Sequence, residues 1–362
     1  MKILFHLCAS IIILLPSAYG QRHFKFPDEI SASNVYLTSV KKNIATMQSR
    51  SAQELWQFSL TSRQILLHFN FGVELEQDIY NARFKDQGLT YRKAKQVYES
   101  NDIKERLCKI KSYFINDSNE IYAFVVGTEV KPAPIGKPAD DFSLKPFYAL
   151  LVINSKNVKT IYGIQPIPED KGYWVKETSF YVVNNDFFFT VAKEQVSTNK
   201  NYFAGKWTLN SGQLVFKDFV KLELPSFNTE RGVGYGLLDF IYKNEKIIFY
   251  SNSTVCDLRT MTSENLIIND PSNTNYSGHN VGAVFNIGFS VCDFYVNEDE
   301  IKIIVRKENN FYIERFKSNQ FIEEISLNNY TTKNLYRFPF YSANGDIVVT
   351  PKETDDIILL TP

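Results

Sequence analysis

A Ser-containing turn recurs along this chain at nearly constant spacing. Ser62, Ser155, Ser211, Ser263 and Ser318 are separated by 93, 56, 52 and 55 residues. Each sits between an alternating polar–apolar run and a second apolar run. Leu60-Thr61-Ser62-Arg63-Gln64-Ile65-Leu66-Leu67 reads almost onto Leu209-Asn210-Ser211-Gly212-Gln213-Leu214-Val215-Phe216. Strands on both sides of a turn, repeated at this period, are the signature of a β-propeller blade.

A second turn falls inside each unit, at Asn116–Asn119, Asn184–Asp186, Lys243–Glu245, Asn297–Asp299 and Ala343–Gly345. Asn, Asp and Gly tolerate the left-handed backbone of a tight hairpin. An apolar strand follows each: Ile121–Val126, Phe187–Val191, Ile247–Tyr250, Ile301–Val305 and Ile347–Thr350. The pattern predicts an all-β chain, a six-bladed β-propeller. The sixth unit ends after a third strand, Ile357–Leu360, so its outer strand has to come from elsewhere. His23-Phe24-Lys25-Phe26 near the N-terminus is the candidate, since closure by the N-terminal strand leaves no open edge.

The long first gap holds an insertion around residues 70–110. Tyr91–Tyr98, rich in Lys, Ala and Gln, reads as a helix, and Asn101 as the cap of a short helix through Leu107. This connection lies on the face where propellers place a ligand funnel. It is read as a packing bracket, with a lid as the alternative.

Residues 1–20 read as a secretory signal peptide: Lys2, an apolar run through Ile11–Leu15, Pro16, then Ala18-Tyr19-Gly20. That apolar run is shorter than the roughly 20 residues a spanning helix needs. The expected mature chain is a single domain, 21–362, secreted and not held in a membrane. It balances 39 basic against 40 acidic residues, so it carries no nucleic-acid footprint. One local basic excess, nine Lys or Arg against four acids over 83–111, reads as a solvated face. Aromatic residues make up 15% of the chain and suit a pleated, half-buried surface.

Beyond the leader, Cys108, Cys256 and Cys292 remain. An odd count allows one internal disulfide, and Cys256–Cys292, on neighbouring units, is the favoured pair. Sequons at Asn116, Asn252, Asn275 and Asn329 fall in expected turns or loops and are candidate glycosylation sites.

No catalytic set emerges. Three His remain, too few for a His-based zinc site; His68 reads as a core residue. His279, in the polar loop Ser277–Asn280, is the best single candidate for ligand contact. Gly288-Phe289-Ser290-Val291-Cys292 lacks the last Gly of a nucleophile elbow. Gly232-Val233-Gly234-Tyr235-Gly236 opens a strand rather than the helix a dinucleotide fingerprint requires. Acidic Asn-type turns lack EF-hand spacing, so no metal ligands are assigned; calcium in a central channel stays open.

Gly234-Tyr235-Gly236-Leu237, then Ile247-Ile248-Phe249-Tyr250-Ser251, resembles a blade of the yellow and major royal jelly proteins. Cys108, Pro146–Asn154 and Gln165-Pro166-Ile167-Pro168 fit the same pattern. Departures are the missing Cys near Lys145, the absent aromatic-proline motif ahead of Cys108, and Cys256 and Cys292 without counterparts. The resemblance implies a secreted six-bladed propeller whose channel binds small ligands, biogenic amines among them. Blade geometry then puts Tyr235, His279, Asn280 and Phe285 on the ligand-bearing loops. The expected function is a glycosylated, non-enzymatic binding protein, for a small organic ligand or an extracellular protein partner. The alternative is a calcium-dependent propeller hydrolase, nucleotidase or glycosidase, drawing on Glu169, Asp170, Glu230, Asp257 or Asp270. A glycosidase needs two converging carboxylates, and no pairing is evident among these.

Overall fold

Alternating strands and left-handed turn residues build the chain as a series of antiparallel meanders. The computed structural model describes residues 20–116, 118, 120–131, 142–154, 159–167, 173–183, 186–193, 202–221, 240–243, 246–249, 254–257, 262–265, 289–298, 300–318 and 320–361. β1 (Gly20–Lys25) precedes a first meander of β2 (Val35–Lys41), β3 (Ile44–Ser49), β4 (Glu54–Ser59) and β5 (Ile65–Asn70). The helices α1 (Val73–Phe84) and α2 (Tyr91–Ser100) follow.

The second meander is β6 (Cys108–Ile115), β7 (Ile121–Lys131), β8 (Ser143–Ile153) and β9 (Lys159–Ile164). The third is β10 (Tyr173–Val183), β11 (Asp186–Lys193), β12 (Tyr202–Asn210) and β13 (Gln213–Lys221). Gln213 and Leu214 pair in parallel with Gly163 and Ile164, which joins these two meanders into one sheet. The fourth is β14 (Phe240–Lys243), β15 (Lys246–Phe249), β16 (Thr254–Asp257) and β17 (Thr262–Asn265). The fifth is β18 (Phe289–Asn297), β19 (Glu300–Lys307), β20 (Asn310–Lys317) and β21 (Gln320–Thr331). The last strands are β22 (Phe340–Tyr341), β23 (Ile347–Val349) and β24 (Asp356–Thr361). β1 lies antiparallel against β24, from Gly20 opposite Thr361 to Lys25 opposite Asp356. The fold is therefore all-β with a helical insertion.

Turn chemistry explains the punctuation. Lys42, Arg63, Ser211, Glu298 and Ser318 all adopt positive φ between strands, as do Gly212 and Gly345. One reading is corrected: Ser263 lies inside β17, opposite Cys256, and not in the turn. Ser is common in both turn and strand and misplaced that register; Ser155 lies outside the described residues.

Packing is face to face between the first, second and third meanders, and between the last strands and the fifth and first meanders. In β24, Ile357 and Leu359 face the first meander, where Val35, Leu37, Ala45, Met47 and Phe58 meet them. Ile358 and Leu360 face the fifth, against Ile304, Phe311 and Ile313. A strand buried on both faces reads as a continuous apolar run, and Ile357–Leu360 is one. β7 behaves likewise: Ala123 and Val125 join the cluster shared with the first meander and the helices, while Phe124 joins that shared with the third. First strands stand side by side, β6 with β10, β10 with β14, β14 with β18 and β18 with β22. The Ala343 N–H donates to the Val40 carbonyl at 2.9 Å, linking the sixth group of strands to the first meander.

The insertion wedges between the first and second meanders. α2 matches the expected helix: Thr90 caps it by accepting from the Lys93 N–H, and Tyr91, Ala94 and Tyr98 turn inward. The second expected helix does not form; Asn101 ends α2 instead, and its side chain donates to the Val97 carbonyl at 2.9 Å. α1 was not expected. Its inward face mixes Leu75, Ile79 and Tyr80 with the buried Glu76, which blurs the apolar period. Glu76 explains itself in place: its carboxylate accepts from the Leu107 N–H at 2.6 Å, the Cys108 N–H at 3.2 Å and Arg106 Nε at 3.0 Å.

Candidate functional site

Tyr235, His279, Asn280 and Phe285 all lie outside the described residues, as do Glu169, Asp170, Glu230 and Asp270. Asp257 is placed only by its backbone, opposite Lys246 and Thr262. The Cys256 side chain, the sequons at Asn252 and Asn275, and residues 1–19 are outside the description too. Among the described residues, no group of three or more His, Cys, Asp or Glu is placed to hold a metal.

The remaining sequence candidates are placed as follows. His68 is not a core residue: it is exposed on β5, its ring stacked 5.1 Å from Trp56 and its Nε2 3.9 Å from Glu54 Oε1. β5 ends its meander's pairing order, so alternate side chains there face outward, Leu66 with them. Asn116 holds the first hairpin of the second meander: its Oδ1 accepts from the Ser118 and Glu120 N–H groups, both at 2.9 Å. The Nδ2 that would carry a glycan donates to Glu120 Oε2 at 2.7 Å. Asn329 is exposed but belongs to β21 rather than a loop. Cys108 is a buried free thiol; burial, then the Glu76 charge, push its pKa up, which leaves it an unreactive core group. Tyr80, whose oxygen accepts from the Val130 N–H at 3.1 Å, is pushed up to about 12, chiefly by burial.

A polar cluster forms ahead of β22, where strands distant in sequence converge. The connection from β21 to β22 is pinned by the Tyr336 N–H donating to Thr350 O at 3.0 Å and Tyr336 Oη donating to Asp355 Oδ1 at 2.6 Å. This delivers Arg337 against three first strands. Its guanidinium donates to the Leu37 carbonyl on β2 and lies 5.5 Å over the Phe340 ring on β22. Beside it on β18, Asp293 is 7% exposed and its Oδ2 accepts from the Tyr341 N–H at 2.6 Å.

Solvent reaches Arg337, yet its pKa is lowered, chiefly by desolvation, with the Asp293 charge opposing. Sequence reasoning missed this residue. The available signal was a cation set among Tyr336, Phe338, Phe340 and Tyr341 directly ahead of a first strand.

No protein-family model matches the chain, and no curated protein matches it significantly. Solved structures do. A protein of Bacteroides fragilis assigned as exported aligns at 12% identity over 96% of this chain and 95% of its own, with a TM-score of 0.49. The Cps50 (Swd1) β-propeller domain of Myceliophteria thermophila aligns at 7% identity over 95% of this chain and 100% of its own, TM-score 0.46. The Dos1 propeller aligns at 10% identity over 94% of this chain and 74% of its own, TM-score 0.40. Likenesses at these levels transfer no activity.

Proposed function

We propose that this chain is a secreted six-bladed β-propeller, closed by its N-terminal strand, that binds a small organic ligand in its central funnel. The blade count rests on five four-stranded meanders plus β22–β24 completed by β1. The observation that carries the reading is the sequential order of first strands, β6 beside β10, β10 beside β14, β14 beside β18 and β18 beside β22, along which a propeller places its funnel. Ligand sites are concave, with a few placed polar groups fixing orientation. Secretion rests on the leader-like residues 1–20; no helix among the described residues is long and apolar enough to cross a membrane. Kinship with the yellow and major royal jelly proteins is part of the proposal and rests on the short motifs given above, as does glycosylation at the four sequons.

Thermal unfolding of the secreted protein with small organic acids, amines and nucleotides, with calcium and with EDTA, tests the reading. A ligand that binds only the folded state adds about 2.7 kcal/mol at a hundredfold excess over its dissociation constant. A raised midpoint with an organic ligand, indifferent to EDTA, is the expected result. A midpoint that falls only with EDTA would replace the reading with the calcium-dependent hydrolase. No response to any of them would replace it with an extracellular protein-interaction role.

A further inference from the structure

We infer that Gln21 is converted to pyroglutamate, which caps β1, the strand paired with β24; this rests on reading residues 1–20 as a cleaved leader. Cleavage after Ala18-Tyr19-Gly20 leaves Gln21 with a free α-amine. In an N-terminal Gln that amine reaches its own side chain. The amine nitrogen attacks Cδ, an N–Cδ amide bond forms, and the Cδ–Nε2 bond breaks. Ammonia leaves with a proton from the amine, and nothing is oxidised or reduced. The product is an uncharged five-membered lactam.

The place of Gln21 in the fold allows this and gives it a use. Gln21 is exposed at the start of β1, opposite Leu360 on β24. A lactam there displaces no buried neighbour, and the Gln21 carbonyl is unchanged. The terminal residues of a strand fray, and a free α-amine is where an aminopeptidase starts. Broad-specificity aminopeptidases stop ahead of an X–Pro bond, and the first one here is Phe26-Pro27. The segment open to stepwise removal is thus Gln21 to Lys25, all of β1 that leader cleavage leaves. Each step deletes a ladder position against β24, and the second also deletes Arg22 with its 2.7 Å pair to Asp346. A lactam has no α-amine, so the first step fails.

The test uses the full chain secreted from animal cells, as the parent and as Q21E and Q21A. Glu-C digestion releases the N-terminal peptide ending at Glu29 for weighing. The parent peptide is expected to start at Gln21, to be lighter than its linear form by one ammonia, and to resist Edman degradation. Q21E closes its ring far more slowly, because water must leave, and Q21A has no ring to close. Both should sequence normally, and in leucine aminopeptidase both should lose residues up to Lys25 several-fold faster than the parent. A linear parent peptide starting at Gln21 overturns the cap and leaves the leader standing. A chain starting anywhere else sinks both. A cyclised parent trimmed as fast as Q21E overturns the protective role.

Discussion

Glu76 is 2% exposed, and each of its oxygens has a donor: Oε1 takes the Leu107 and Cys108 N–H groups, Oε2 takes Arg106 Nε. Arg106 in turn donates to the Phe71 carbonyl at 3.0 Å and stacks 4.9 Å over the Phe71 ring. One side chain therefore ties α1, the chain entering it and the start of β6. Glu76→Gln keeps the shape but removes the charge facing Arg106 and turns an N–H₂ toward groups that donate. Arg106 is 35% exposed and recovers some hydration, so the expected loss is about 2–4 kcal/mol rather than the full cost of breaking a buried pair. Urea unfolding followed by tryptophan fluorescence measures it. A loss under about 0.5 kcal/mol, the scale of an ordinary surface substitution, would show that the insertion is held by its apolar face alone.

At the scale of elements, β1 is held to its neighbours by charge as well as by its ladder. Arg22 donates to Asp346 at 2.7 Å, Lys25 pairs with Asp356, and His23 Nδ1 lies 3.5 Å from Asp356. Burial would raise the Asp356 pKa, but hydrogen bonds from Lys25 and His23, with their charges, outweigh it and hold it below the usual 3.8. A carboxylate lowered on folding contributes stability that is complete above its unfolded value and is lost as pH falls through the folded one. The parent should therefore lose stability as pH drops below about 3.8. Asp356→Asn should be less stable at pH 7 and show a smaller fall over that window, in thermal midpoints taken from pH 7 to pH 2. Identical profiles would remove Asp356 from the account. Much at this scale was legible in the sequence. The hairpins at Asn116, Asn297 and Asn344 announce themselves because Asn, Asp and Gly gather at turns, although the left-handed residue is Glu298 or Gly345 beside the Asn, and Ile347–Val349 and Ile357–Leu360 because burial on both faces leaves unbroken apolar runs. α1 stayed hidden because Glu76 occupies its inward face for a local reason. His68 misled because its apolar neighbours describe a strand without saying that it ends the sheet. Arg337 showed in the sequence only as a cation among aromatic residues, because Leu37 and Asp293 are brought beside it only by the order of the strands.

At the scale of the whole molecule, the first and last described strands meet. β1 covers the outer edge of β24, and Phe26, just beyond β1, enters the cluster shared by the first meander and the last strands. Without it, the β24 edge would present unpaired N–H and C=O groups, a template for another chain. The cluster around Val35, Phe58 and Leu359 would also lose Phe26, which is 8% exposed. Loss of a buried Phe alone costs about 3–5 kcal/mol, and the ladder from Gly20 to Lys25 goes with it. A chain beginning at Pro27 behind a heterologous leader is thus expected to unfold at least about 3 kcal/mol more easily and to self-associate. Size-exclusion chromatography with light scattering, beside urea unfolding, reads both effects. Adding back a synthetic peptide spanning residues 20–26 should restore the monomer, because the missing strand and its Phe then re-enter in trans. A truncated chain as stable and as monomeric as its parent would mean that the last strands are held by their packing alone and that β1 only decorates an edge already protected.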